Sequence, residues 1–271
     1  MIAAAFGSGA PPIGAGEYVS GIEWPTPTVV QAGDTDRSPP SDAIVLFDGD
    51  DRDAWRGAEK WTVENGHLIC GEGHITSHKR FGDCQVHLEW SAPPPGKRTG
   101  QSRGNSGLFF FGIGSYEIQI LDSHDSETYP DGQAGAVYKQ TPPMVNVCRP
   151  PGQWNTYDVF WKAPKFDEQR RLVTPAYITA VHNGVLIHHH TELLGDTPYV
   201  RPPAYRYKGE RGPIGLQDHG SKVRFRNIWV REIVPQKGKR TRQAFLRENG
   251  TEIEIPTDTP ESDATPTGAT R

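Results

Sequence analysis

Apolar and polar positions alternate along most of the chain between residues 41 and 234, with the spacing of strands. Cys84-Gln85-Val86-His87-Leu88-Glu89-Trp90 alternates without a fault, the period of a strand that buries one face. Tyr157, Val159 and Trp161 repeat the spacing, and so do Val223 and Phe225. Ile228 and Val230 continue on the opposite phase, which predicts an irregularity near Asn227. Tyr177 to His182 and Val185 to His189 flank Asn183-Gly184, a pair that tolerates positive φ at both turn positions and predicts a two-residue hairpin. Helical periodicity is confined to Thr241 to Asn249, where a short helix is expected. Many short strands between Gly- and Pro-rich turns, with no repeat unit, predict an all-β fold, a β-sandwich or jelly roll.

The pattern also divides the chain. Residues 1–40 contain many Gly, Pro, Ala and Ser without a period and read as an N-terminal arm or linker. Residues 41–234 form the domain, and residues 235–271 form a polar C-terminal tail. From Thr251 onward that tail is rich in Thr, Pro and acids and is expected not to order itself. The first residues lack the charged start and apolar centre of a signal peptide.

Composition removes several function classes. The 271 residues include 30 Gly and 24 Pro, and no breaker-free stretch is long enough for a coiled coil. The longest apolar runs, such as Ala43 to Phe47, are strand-sized, so no membrane span is expected. A net charge of -4 gives no electrostatic footprint for nucleic acid. The cluster Lys237, Lys239, Arg240, Arg242 and Arg247 lies beside acidic residues and reads as solvated surface. Cys70, Cys84 and Cys148 are too few for a disulfide framework and lack metal-ligand spacing. Nothing in the chain specifies an oligomeric state.

The stretch richest in chemistry is Tyr116-Glu117-Ile118-Gln119-Ile120-Leu121-Asp122. Alternation puts Tyr116, Ile118 and Ile120 on one face and Glu117 and Gln119 on the other. A β-bulge near Ile120-Leu121 would return Asp122 to the Glu117 side, so that two carboxylates and an amide line one face. Asn105 and Arg103 precede the apolar strand Leu108 to Phe111. Tyr138 and Lys139 follow the carboxylate strand, and Gln217 and His219 precede another strand. Each places a polar side chain suited to sugar recognition or proton transfer at a strand end.

Leu46-Phe47-Asp48-Gly49 with Trp55, and then Trp61-Thr62-Val63-Glu64-Asn65-Gly66, resemble the opening of the 3-keto-disaccharide hydrolase family. Asn105-Ser106-Gly107, Glu117 to Asp122, Gly135-Ala136-Val137-Tyr138, Trp154 to Tyr157, His182-Asn183-Gly184 and Phe225 to Ile228 continue the resemblance in order, over roughly residues 43 to 233. It implies a concanavalin-like jelly roll of two curved antiparallel sheets with a site on the concave face. It also implies a bacterial enzyme of sugar catabolism, periplasmic or extracellular, acting on an oxidised sugar such as a 3-keto-disaccharide or 3-keto-glucoside. The carboxylate strand is similar to the catalytic strand of laminarinase-like glucanases, except that the central acid is replaced by the amide Gln119. An amide cannot share a proton with a neighbouring carboxylate, which disfavours ordinary double displacement.

A ketone at C3 acidifies the C2 proton, so a site for elimination needs a base, a donor for the enolate oxygen and an acid for the leaving oxygen. Glu117 or His219 is the candidate base. Lys139 and Asn105 are candidates for the oxyanion, directly or through a metal. Asp122 is a candidate to orient a hydroxyl or hold that metal. Gln119 and Gln217 suit hydroxyl recognition because an amide donates and accepts, and Arg103 and Tyr138 complete the expected substrate-binding set. A divalent ion of Ca or Mn/Zn type remains open, with His124 and Asp125 in the loop after Asp122 as further donors. His188-His189-His190 reads as a surface triplet. The alternative to an enzyme is a non-catalytic, lectin-like carbohydrate-binding module, against which the four ionisable groups Glu117, Asp122, Lys139 and His219 argue.

Overall fold

The structure, a computed structural model, describes residues 16–35 and 37–255. The chain divides into two units, residues 30–234 and a smaller unit drawn from the described parts of 1–29 and 235–271. Two large antiparallel sheets build the larger unit, with a small two-stranded ribbon of Lys165–Phe166 and Leu172–Thr174 beside them. One has five strands in the order Tyr116–Ile120, Ser106–Phe110, Gly212–Leu216, Ile75–Phe81 and Trp55–Arg56. The other has eight, running from Val185–Glu192 through Tyr177–His182, Asn155–Lys162, Cys84–Ser91, Arg224–Glu232 and His67–Ile69 to Thr62–Glu64, with Ile44–Phe47 also paired to Arg224–Glu232. The only helical segments among the described residues are two short 3-10 turns, Gly100–Ser102 and Pro130–Gly132. The all-β jelly-roll sandwich expected from the alternation is therefore what the chain forms.

The inward sets of both sheets meet in one core. Leu108, Phe110, Ile118 and Ile120 from the smaller sheet pack with Leu88, Trp90, Val159 and Trp161 from the larger. Phe110 stacks on Trp161 with ring centroids 4.6 Å apart, and the Tyr157 hydroxyl crosses to donate to the Gln119 carbonyl at 2.8 Å. Each fully buried aliphatic or Phe side chain contributes about 1.5–3 kcal/mol. The indole N–H groups of Trp90 and Trp161 are buried without an acceptor, which offsets that gain by roughly 1–3 kcal/mol each.

The Asn183-Gly184 hairpin forms as expected, with φ of 52° and 81° at the two residues. The irregularity near Asn227 is a register shift between Arg226 and Trp229, with Asn227 at φ 48°. Two expectations fail in the smaller unit. In place of a helix over Thr241 to Asn249 stands the strand Phe245–Glu248, paired on one side with Glu17–Val19 and on the other with Thr251–Glu254. The tail expected to lack order thus contributes a strand, while residues 256–271 lie outside the described residues. The reason is a second Asn-Gly turn: Asn249 and Gly250 adopt φ of 50° and 78° and reverse the chain into a hairpin.

Candidate active site

The strand Tyr116–Ile120 is split by its own alternation. Tyr116, Ile118 and Ile120 enter the core, which turns Glu117 and Gln119 to the outer face of the five-stranded sheet. The neighbouring strand pairs in unbroken register, Glu117 opposite Phe109 and Gln119 opposite Gly107. A Cβ at residue 107 would collide with the Glu117 carboxylate oxygen and the Phe109 ring, so only glycine leaves that carboxyl room to lie across the sheet. Above this face opens a cavity of about 550 Å³, lined by Glu117, Gln119, Asn105, Phe109, Gln217 and His219 together with residues of four connecting segments. That volume lies within the range of roughly 300–1,000 Å³ usual for small-molecule sites.

The floor is polar and buried. Glu117 is 5% exposed, and its burial without a compensating charge pushes the carboxyl up to about 8, because the ionised form loses its hydration. Its backbone N–H donates to the Thr197 hydroxyl at 3.1 Å, and that hydroxyl donates to the Ser115 carbonyl at 3.0 Å. Gln101 gives its amide N–H groups to the Gly132 carbonyl and the Thr128 hydroxyl. The carbonyl acceptor fixes which end of that amide is nitrogen, so Gln101 Oε1 accepts from Gln119 Nε2 at 3.2 Å. This orients Gln119 in turn and leaves its Oε1 buried with no donor, a lone acceptor suited to a sugar hydroxyl. Asn105 Nδ2 donates to the Gln101 carbonyl at 2.6 Å.

Two phenols form one wall. The Tyr129 and Tyr138 hydroxyls lie 2.8 Å apart, so one proton is spent between them and the other is available to a ligand. Burial, the Tyr129 hydroxyl and the neighbouring Glu117 all push Tyr138 up, which keeps it a neutral donor. His219 lies at the exposed rim.

Of the residues singled out from the sequence, Glu117, Gln119, Asn105, Gln217, Tyr138 and His219 line the cavity, whereas Asp122, Arg103 and Lys139 do not. The expected bulge is absent: pairing stays regular to Ile120 opposite Ser106, where the strand ends. Asp122 is instead buried on Arg103, whose Nε and Nη2 donate to Asp122 Oδ2 at 2.9 and 2.6 Å. Arg103, in turn, is held in an ion pair and is not a free surface charge. Lys139 Nζ sits 3.4 Å from Asp131 Oδ1 and 4.0 Å from the centre of the Tyr129 ring, so it braces the phenol wall from behind. Gln101, Phe109, Tyr129 and the Thr197–Tyr199 segment line the cavity but were not anticipated. Phe109 lies on the neighbouring strand opposite Glu117, inside the apolar run Leu108 to Phe111, whereas the others come from loops whose polar and aromatic character is their only sequence signal.

No group of three or more His, Cys, Asp or Glu side chains that could hold a metal ion occurs among the described residues; His124 and Asp125 gather no third donor. His188 departs from the surface triplet, being buried with Nε2 2.8 Å from the Gly135 carbonyl. All three cysteines are free and buried. No helix among the described residues is long and apolar enough to cross a membrane.

Comparison with known proteins places this site in context. Residues 42–231 match the family described as the 3-keto-alpha-glucoside-1,2-lyase-like domain. A 3-keto-disaccharide hydrolase of Bacteroides thetaiotaomicron is 26% identical over 253 residues, covering 70% of this chain and 78% of that protein. A candidate glycosyl hydrolase of known structure from Parabacteroides distasonis is 42% identical with a TM-score of 0.72, covering 77% of this chain and 93% of the other. A second from the same organism, at 22% identity and a TM-score of 0.52 over 70% of this chain and 99% of the other, shares the fold.

Proposed function

Because this chain belongs to the 3-keto-alpha-glucoside-1,2-lyase-like family, we propose that it cleaves the glycosidic bond of a 3-keto-disaccharide or 3-keto-glucoside. Removal of the C2 proton comes first, then loss of the C1 oxygen substituent and addition of water. The observation that carries this reading is the Glu117 carboxyl, buried on the cavity floor with no ion-pair partner among the described residues and shifted to about 8. A carboxylate of that proton affinity is a far stronger base than one near 4.5, and its pKa matches work near neutral pH.

In the first step Glu117 takes the proton from C2, and the C2–H electron pair moves into the enolate whose negative oxygen is at C3. The Tyr138–Tyr129 pair supplies the free O–H that stabilises that oxygen, with Lys139 acting through Tyr129 as a positioning residue. The enolate electrons then form the C1=C2 bond as the C1–O bond breaks, and the leaving oxygen receives a proton from His219 at the rim. Water then adds its hydroxyl to C1 and gives its proton to His219 while Glu117 returns a proton to C2, which restores both groups and makes the net reaction hydrolysis. Gln119 Oε1 accepts from one sugar hydroxyl, while Asn105 and Gln217 hold others. Asp122 and Arg103 act as a strut behind the floor. We further propose a periplasmic or extracellular location, which the family resemblance supports, with a cytoplasmic one as the alternative.

Incubation with 3-keto-trehalose in D2O tests the reaction. Release of free sugar with deuterium at C2 is the expected result, because the proton taken from C2 exchanges with solvent before water addition. Release without deuterium contradicts the C2 route, and tight binding with no release identifies a lectin-like module.

A further inference from the structure

The mouth of the cavity is built differently from its floor. Tyr199 lines it yet is 69% exposed, so the ring stands at the rim, beside Pro198 and across from a floor of amides and the Glu117 carboxyl. An aromatic face at the mouth of a cavity floored by amides is suited to stacking against a ring, and the loop that carries it is held in place. Buried Asp196 accepts from Arg201 Nη1 at 3.0 Å, from Arg206 Nη1 at 3.1 Å and from the Ala204 N–H at 3.0 Å. Gln140 Nε2 donates to the Gly195 and Asp196 carbonyls at 3.0 and 2.9 Å. One residue further on, Thr197 accepts the backbone N–H of Glu117 itself. The loop that carries the platform is thus tied to the carboxylate strand at Thr197, whose hydroxyl takes the Glu117 N–H and whose own N–H donates to the Ser115 carbonyl at 2.9 Å.

We infer that Tyr199 is the stacking platform for the leaving group, so that the site selects glycosides whose aglycone is a ring, a second pyranose or an aromatic alcohol. The inference rests on the reading of Glu117 as the group that works at C2. With C2 at the floor, C1 is the adjacent carbon, and whatever its oxygen carries projects toward the rim. The oxidised ring, rich in hydroxyls, matches the lone acceptor of Gln119 and the other floor amides. The aglycone meets an aromatic face, on which the C–H face of a pyranose or an aryl ring removes apolar surface from water. Because the loop is braced in advance, little ordering is lost on binding.

Turnover and binding of two substrates test this: 3-keto-trehalose, with a pyranosyl leaving group, and methyl 3-keto-glucoside, with a one-carbon leaving group. Tyr199→Ala is expected to raise KM for 3-keto-trehalose about tenfold, the change that follows from a loss of about 1.4 kcal/mol. Its kcat is expected to stay within about twofold, and the methyl glycoside to be unaffected. Tyr199→Trp should restore the disaccharide KM. Binding is read in parallel by calorimetry in the Glu117→Gln background, where the same tenfold, aglycone-dependent difference is expected. Equal losses on both substrates, or no loss on either, overturn the platform. If the wild type turns over neither substrate but binding of 3-keto-trehalose still depends on Tyr199, the platform stands and the proposed reaction falls.

Discussion

Glu117 and Glu89 are alternating-strand residues buried to nearly the same degree, 5% and 4% exposed, yet their environments set opposite proton affinities. Glu117 faces amides, phenols and a cavity, and burial raises it to about 8. Burial also works to raise Glu89, but contacts with His87, Arg226 and Asn227 outweigh it and hold the carboxyl down to about 2. Arg226 Nε donates to Glu89 Oε2 at 2.8 Å and Asn227 Nδ2 to Oε1 at 3.2 Å, while His87 is engaged by Asp158 at 2.8 Å and stacked on Trp229. Burial alone therefore does not decide charge; the partners supplied by neighbouring strands do. Glu89 is a satisfied clamp, and Glu117 is left without a counter-charge at the one place where a ligand can reach it.

Breaking the first member of the pair has the largest expected effect. Glu117→Gln removes the proposed base and should lower turnover of 3-keto-trehalose by roughly 10²- to 10⁴-fold, with the circular-dichroism spectrum unchanged. The same substitution sharpens the comparison through stability. Unfolded, the Glu117 carboxyl ionises near its ordinary 4.5, but folded it keeps its proton to about 8, so between those values the native state binds more protons. Wild-type stability must then fall relative to Glu117→Gln as pH rises from 4.5 to 8, by on the order of 5 kcal/mol over the whole interval. Denaturant melts of both proteins across that interval measure it.

Glu89 should behave in the opposite sense. Its contribution is present above 4.5 and is lost as pH falls toward 2, because the folded carboxyl is the stronger acid. At neutral pH, Glu89→Gln strands Arg226 and is expected to cost roughly 2 kcal/mol, less than a fully buried pair because Arg226 is partly solvated. Turnover per folded molecule should hardly change. The smallest effect belongs to Thr197→Val, which leaves the Glu117 N–H without its acceptor. About 1–2 kcal/mol of stability should be lost, and KM for the disaccharide should rise only slightly, because the Thr197 N–H still donates to the Ser115 carbonyl and holds the Tyr199 loop.

Much of this molecule was legible in the chain. Period-two alternation identified the strands and put Glu117 and Gln119 on one outer face, and Asn183-Gly184 announced its hairpin. At Asn249-Gly250 the same two-residue turn signal overlaps a weak helical period, and turn chemistry wins there. Asp122 was misplaced because alternation says nothing about where pairing stops. The strand ends at Ile120, and Arg103, brought close by the adjacent strand, captures the acid. Gln101, Tyr129 and Tyr199 reach the cavity from loops 12 to 82 positions away from Glu117. Such long-range closure leaves no local period, so these residues could be found only in three dimensions.

As the proposed base, Glu117 must hold its proton more tightly than an ordinary carboxyl because burial strips the ionised form of water. A carboxyl difference titration between wild type and Glu117→Gln, by carbon-13 NMR on glutamate-labelled protein, reads that group directly. A midpoint near 8, matching a rise of kcat/KM with pH over the same interval, is the predicted result. A midpoint near 4.5, or activity indifferent to this titration, contradicts the account.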